Sequence, residues 1–264
     1  MAERQHVELV RRDAVATVTM RRPEVHNAFN ERVIAELSEA FDTVTSDAET
    51  RVVVLTGEGR SFSAGADLDW MRLASELSED ENRRDAAALA RMLRAVAGCR
   101  CPVVAKVQGS AFGGGAGLVA AADLAVAAES ARFGFTETRL GLVPATVAPY
   151  VVEKIGPGWA LRLFLTGERF DAARALAVGL VYRVVPDAEL DTAVDDVATA
   201  LLAGGPQAQR ACKELVRRVA LDGPAIDEYT SELIARVRSS DEGREGVRAF
   251  LEKRTPRWLD ITDV

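Results

Sequence analysis

Histidine is almost missing: His6 and His26 are the two in 264 residues. A Ser-His-Asp triad is hard to assemble from so few. No HExxH occurs, and no His/Cys cluster has zinc spacing. Cysteine is scarce too, with Cys99, Cys101 and Cys212. An odd count in a chain of this length does not suggest a disulfide framework. A reducing, cytoplasmic setting is the expectation. Cys99-x-Cys101 falls one residue short of CxxC and has no second pair, so it reads as two small apolar residues before a strand. Long apolar runs are absent as well. The longest, 111–128, carries Asp123 and several glycines and is no membrane span. The opening MAERQHVELVRRD is charged and lacks the apolar core of a signal peptide. There is no GK[ST], hence no P-loop. GRSFS at 59–63 misses the nucleophile elbow, because serine stands at 63 where glycine is needed. Net charge is −7 and pI about 5.1, which disfavours nucleic acid as a partner. An anionic ligand would need a local basic site.

What is present is ordinary globular material. The chain is 48% hydrophobic and 28% charged, far from a disordered composition. Its length fits one large domain or two smaller ones, and needs no staples. VELV and AVATVTM, with Arg12-Asp13 between them, read as a hairpin. Asn30 stands in N-cap position before ERVIAELSEAFDTV, where Val33, Ile34, Leu37, Phe41 and Val44 recur at helical spacing. RVVVLTG (51–57), PVVAKVQG (102–109) and LAVAAE (124–129) read as strands buried on both faces. A polar helix is expected near 76–97. Strands alternating with helices imply a parallel sheet of βαβ units. Beyond about residue 145 the pattern is helical, apart from VYRVV (181–185). Residues 187–254 read as three or four amphipathic helices separated by Pro206, Gly223-Pro224 and Gly243.

Two glycine-bearing loops stand out, SFSAGADLDW (61–70) and GSAFGGGAGL (109–118), each after a buried strand. Glycine inside an element costs roughly 0.5–1 kcal/mol against alanine, so a cluster implies close approach of ligand or backbone. Gly115-x-Gly117-x-x-Ala120 matches a dinucleotide fingerprint. However, only about eight residues separate Gly115 from the next strand, and Glu129 follows it by about 14 residues rather than about 20. Ligands in parallel sheets bind at the carboxyl ends of strands. Two free N–H groups from neighbouring loops would make an oxyanion hole, a device that needs no side chain. Spacing alone fits equally well two tight turns that serve packing.

The ordered set RRPEVHNAFN (21–30), SFSAGADL (61–68), VQGSAFGGGAGL (107–118), ADLAVA (122–127), FGFTETRLGLVP (133–144), LTGERFDAARALAVGLVYRVVP (165–186) and REGVRAFLEKRTPRW resembles the crotonase family, the enoyl-CoA hydratases and isomerases. The resemblance covers essentially the whole chain. It implies an α/β fold: a crotonase-like ββα spiral core over 1–196 and a C-terminal helical trimerisation region over 197–264. It implies an acyl-CoA thioester substrate, no separate cofactor or metal because CoA is part of the substrate, and a homotrimer or dimer of trimers. The backbone N–H groups of Ala66 and Gly114 would hold the thioester oxygen. Ala64, Ala66, Asp67 and Leu68 match the segment that contacts CoA, and Phe250 and Lys253 match C-terminal positions that approach it. Taken alone, Lys253 reads as a solvated helix lysine.

Typical hydratases carry two glutamates. One follows the GGG-x run, where this chain has Gly117; the other, in FGxxE, is kept as Glu137. Taken alone, Glu137 reads as a loop glutamate paired with Arg139. As the acid–base residue it sits among apolar neighbours that would raise its pKa. Two readings follow. An isomerase shifts a double bond with one carboxylate. The GGGxGLVAAxD and LGLVPATVAPYVV segments resemble hydratases of the methylglutaconyl type, acting on branched or carboxylated enoyl-CoAs, where Gly117 would leave room for a bulkier acyl group. A non-catalytic acyl-CoA-binding homologue is a further reading.

Overall fold

The computed structural model describes residues 5–222 and 227–259. Strands β1 (Val7–Arg12) and β2 (Val15–Met20) form the expected antiparallel hairpin, turning at Asp13 with φ +51°. Helix α1 (Glu31–Ser46) starts where the Asn30 side chain accepts the Val33 N–H at 3.0 Å. Its apolar stripe, Val33, Ile34, Leu37, Ala40, Phe41 and Val44, is wholly buried.

Strand β3 (Val52–Gly57) is followed by α2 (Leu68–Ala74) and α3 (Glu79–Gly98). Then come two three-element units. In the first, β4 (Val103–Val107) and β5 (Ser110–Phe112) lead into α4 (Gly114–Ala121). In the second, β6 (Leu124–Ala128) and β7 (Arg132–Gly134) lead into α5 (Ala148–Thr166). Short elements follow: β8 (Arg169–Asp171), α6 (Ala172–Ala177) and β9 (Arg183–Val185). The chain ends in α7 (Leu190–Ala203), α8 (Pro206–Asp222), α9 (Asp227–Ser239) and α10 (Asp241–Glu252).

The large sheet has the order β1-β2-β3-β4-β6-β9 and is parallel outside the first hairpin. A small sheet, β5-β7-β8, takes the second strand of each unit. The repeat is therefore ββα stepping across two sheets, rather than simple βαβ. The uniform hydrophobicity of β3 has a direct cause. Val53 and Leu55 face the main core, while Val52 and Val54 face a second cluster closed by Leu190, Val194 and Val197 of α7. Covering both faces makes the strand apolar from Val52 to Leu55, and Thr56 beyond them is buried with its hydroxyl donating to Lys106 O at 3.1 Å.

Two expected boundaries shift. A division at 196/197 would cut α7, which packs on the sheet, so the peripheral helices begin with α8. Gly243 does not separate helices. It is the third residue of α10, its N–H is accepted by Ser240 Oγ at 3.0 Å, and a Cβ there would collide with the Val237 carbonyl. Gly223-Pro224 lies outside the described residues. Cys99 and Cys101 are buried core residues, as their setting before β4 suggested. No helix among the described residues is long and apolar enough to cross a membrane.

Candidate active site

The carboxyl ends of three neighbouring strands, β3, β4 and β6, each release a segment to the same place. After β3 the chain runs through Ser61 to Asp67. Phe62 N–H donates to Gln108 O at 2.8 Å and Ser63 N–H to Ser110 O at 3.0 Å, while Phe112 N–H returns to Ser63 O at 3.0 Å. These bonds zip the loop after β3 onto the loop after β4. Gly65 (φ +89°) then passes so close that a Cβ on it would stand 2.7 Å from the Phe112 carbonyl and 3.6 Å from Gly113 Cα. Only glycine meets both demands. Gly65 thus serves backbone-to-backbone approach, as does Gly115, where a Cβ would stand 2.5 Å from the Ser63 carbonyl oxygen.

The outcome is two adjacent free donors. Phe29 bridges Ala66 from one side, its N–H donating to Gly65 O at 2.6 Å and its carbonyl accepting Asp67 N–H at 2.8 Å. The Ala66 N–H therefore points to the other side. Gly114 is the first residue of α4, where an N–H has no intrahelical acceptor. Neither N–H meets an acceptor among the described residues. The Phe29 ring also lies under Gly114, 2.8 Å from where its Cβ would be. Phe29 supports both donors and escaped the reading of the sequence, where it counted only as part of NAFN.

Glu137 arrives from the third segment, at the start of a single 3-10 turn after β7. Its Oε1 lies 3.3 Å from the Cβ direction of Gly113, the residue before the Gly114 donor. Its Oε2 is buried without a hydrogen-bond partner. Burial pushes this carboxyl above the usual glutamate range, with its own N–H opposing weakly. It forms no ion pair with Arg139, whose side chain lies against Gly167 instead. A buried, unpartnered carboxylate destabilises the fold. Because the folded pKa is raised, stability falls as pH climbs from the ordinary glutamate range through the folded value. Glu137→Gln is therefore expected to melt higher than wild type at pH 7. That advantage should vanish below the ordinary glutamate range, as differential scanning calorimetry across pH would show.

The remaining residues fall into place around this centre. Ala64 and Ala66 lie on the loop, with Ala66 exposed. Leu68 opens α2 and is 78% exposed. Burial alone would raise the Asp67 carboxyl. The Asp69 N–H and the Arg22 guanidinium, at 2.9 Å each, hold it below the usual aspartate range. Asp67 thus caps α2 and ties the loop to Arg22. Phe250 (82% exposed) and the Lys253 C-cap belong to α10, which is not brought to this loop cluster. The turn beyond it is bonded to Arg51 at the amino end of β3, through Trp258 O at 2.8 Å. Asp123 is likewise at the amino end, accepting Val103 N–H at 2.8 Å and Lys213 Nζ at 2.6 Å. Ser63 is fully buried with Oγ donating to Asn27 O at 2.8 Å, which leaves no free hydroxyl.

Gly117 corrects one expectation. It is the residue expected to leave room for a bulkier acyl group; its φ is not positive, but no room stands open before it. A Cβ there would collide with Cγ1 of Val147 and lie 2.8 Å from its Cβ.

Two backbone donors beside one buried carboxylate are the groups that proton transfer through an oxyanion requires. The model of the Enoyl-CoA hydratase/isomerase family matches residues 11–261. A Thermus thermophilus protein described as an enoyl-CoA hydratase is 38% identical over 252 residues, covering 94% of this chain and 99% of its own. The crystal structure of an enoyl-CoA hydratase from Shewanella pealeana superposes with TM-score 0.93 at 37% identity, covering 97% of each chain. A trans-2-decenoyl-[acyl-carrier-protein] isomerase of Streptococcus mutans is 31% identical, covering 93% of this chain and 95% of its own. The chain belongs to the enoyl-CoA hydratase/isomerase family and has the crotonase fold.

Proposed function

We propose that the protein hydrates a 2-enoyl-CoA whose acyl chain is branched or carboxylated. The observation that carries the proton transfer is Glu137, buried, with one unpartnered oxygen beside the Gly113–Gly114 donor turn; the choice of acyl chain rests on the likeness of GGGxGLVAAxD and LGLVPATVAPYVV to hydratases of the methylglutaconyl type. The Ala66 and Gly114 N–H groups hold the thioester oxygen. Glu137 takes a proton from a water molecule as the oxygen of that water attacks C3. The C2=C3 electrons move into the thioester as an enolate. The same carboxyl, now protonated, returns the proton to C2 as the carbonyl re-forms. One group handling both transfers delivers water and proton to one face. Turnover of a panel of 2-enoyl, 3-enoyl, branched and carboxylated CoA thioesters tests this, with hydration fastest on branched or carboxylated 2-enoyl members. The single carboxylate favours a second reading, double-bond migration, in which Glu137 removes a proton from C2 of a 3-enoyl thioester and returns it at C4. Turnover of 3-enoyl substrates without hydration selects it. Absence of any turnover selects a binding protein.

We also infer an assembly of trimers that uses CoA thioester as its one ligand class, with Ala64–Leu68 holding the CoA moiety. In one chain Phe250 and Lys253 are not brought to the loop cluster, so contact with CoA there requires another subunit. On the peripheral helices Leu233 is buried, while Val219 and Phe250 stay exposed and available for association. Sedimentation velocity at micromolar concentration should give a trimer or hexamer. A 28.4 kDa species alone refutes the assembly.

A further inference from the structure

The Ala66 N–H lies at the end of a hydrogen-bonded line of peptide units that begins at a charged side chain. Among the described residues no peptide is cis, so each peptide carries its C=O and N–H on opposite sides. The Gly65–Ala66 peptide accepts the Phe29 N–H through Gly65 O at 2.6 Å and points the Ala66 N–H away. The peptide that supplies the Phe29 N–H joins Ala28 to Phe29. Its carbonyl, Ala28 O, accepts Arg22 Nη1 at 2.8 Å. The order is therefore guanidinium, Ala28–Phe29 peptide, Gly65–Ala66 peptide, and then the position proposed for the thioester oxygen.

This line runs through the interior. Ala28 and Phe29 are buried, and the Arg22 side chain is 13% exposed. A tight turn closes it: Asn27 Oδ1 accepts the Arg22 N–H and Arg22 O accepts the Asn27 N–H, both at 2.8 Å. His26 and Asn27 take successive left-handed φ values, +54° and +55°, which residues other than glycine adopt at a cost. Asn27 offsets that cost with Nδ2, which donates to Ser61 O at 2.7 Å and Glu58 O at 2.9 Å. The strained turn is what brings Ala28 O back onto Arg22.

The geometry points to Arg22 as a positioning residue for the reaction: its guanidinium polarises two successive peptides, and so orients and strengthens the Ala66 donor. Hydrogen bonds in a chain polarise one another, and in a low-dielectric interior a charge at one end is felt at the other. This inference rests on the proposed role of the Ala66 N–H. The Arg22 guanidinium has two carboxylates against it among the described residues. Asp67 Oδ2 accepts Nη2 at 2.9 Å, and Glu24 Oε1 stands 4.0 Å from Nε. The competing account is that Arg22 serves only to tie down Asp67.

Infrared difference spectra of a bound acyl-CoA read the donors directly. The probe is the saturated analogue of the best substrate, isotope-labelled at the thioester carbonyl. Wild type should shift the carbonyl stretch to lower frequency than in water. Arg22→Met should lose part of that shift and lower kcat about tenfold, less than deletion of a whole donor costs. Its KM should stay within a few-fold of wild type. Arg22→Lys keeps the charge and should retain more shift and more kcat than Arg22→Gln, which keeps an N–H donor without charge. Asp67→Asn still caps α2 and should lose less than Arg22→Met. Should Arg22→Met fail to fold, the Lys and Gln variants carry the comparison. An unchanged carbonyl shift in folded Arg22→Met, Arg22→Gln matching Arg22→Lys, or Asp67→Asn matching Arg22→Met overturns the relay. Ala66→Pro separates the two ideas. If wild type shows no shift, or Ala66→Pro keeps it, the donor role of Ala66 fails. If Ala66→Pro loses the shift while Arg22→Met keeps it, only the relay fails.

Discussion

Glu137→Gln should lower kcat by about 10²–10⁴ while KM stays within a few-fold of wild type. The amide keeps the shape and most of the packing of the carboxyl but takes no proton. Shape matters because the side chain is mostly buried beside Gly113, so a smaller residue would open a void and confuse loss of chemistry with loss of packing. Binding should survive, because the backbone donors of Ala66 and Gly114 do not depend on residue 137. The wild-type rate should rise with pH through a raised carboxyl pKa, since the base works ionised. That limb should disappear from whatever activity Glu137→Gln retains. Steady-state kinetics over pH on the best substrate of the panel checks both. A loss under about threefold on every substrate refutes the role. The same substitution is expected to raise the melting temperature, so a weaker enzyme that is also a more stable protein is the specific signature of a functional carboxylate held against its own solvation.

Local signals in the chain carried much of the fold. Asn30 announced α1 because an N-cap is a three-residue event, and the buried stripe of that helix follows its 3.6-residue period. The apolar run of β3 announced a strand covered on both faces. The small sheet did not show itself. Its strands β5, β7 and β8 have three residues each, too few for any period, and they exist because they pair with one another across the chain. The peripheral helices were legible as amphipathic, but Gly243 was misread as a break. Its reason, a close pass over the Val237 carbonyl, is a tertiary one.

The site divides the same way. The two glycine loops and Glu137 stood out from their position after strands and from the resemblance to crotonases. What those glycines do became visible only as contacts, Gly65 against Phe112 and Gly113 beside Glu137. Phe29 and Val147 carry no chemistry of their own, so nothing in their local sequence marked them. Their importance lies in what they touch. Gly117 shows the hazard of reading a small residue as empty space: the volume it leaves is taken by a side chain from the start of α5.

The sharpest test of the backbone donors is Ala66→Pro, which should abolish measurable turnover, losing at least 10²–10³ in kcat. Proline deletes one N–H and leaves the remaining donor, Gly114, to hold the developing charge alone. Loss of a single such donor typically costs about 3–4 kcal/mol of barrier. Position 66 suits the change better than 114 does. Ala66 already carries a Cβ and is exposed, and its N–H has no acceptor to lose among the described residues. Gly114→Pro would place its ring against Phe29, where even a Cβ stands 2.8 Å from the aromatic edge. The neighbouring bonds, Gly65 O from Phe29 and Asp67 N–H to Phe29 O, do not use the deleted proton and should hold the loop in place. Circular dichroism and melting temperature verify that Ala66→Pro is folded, with Ala66→Ser as a control that keeps the N–H and should keep most activity. Binding of a saturated acyl-CoA, measured by calorimetry, should weaken far less than kcat falls, because the donor acts on charge that grows only toward the transition state. A folded Ala66→Pro with wild-type kcat would show that the oxygen is held elsewhere, and that the free N–H groups at the meeting of the two loops belong to packing alone.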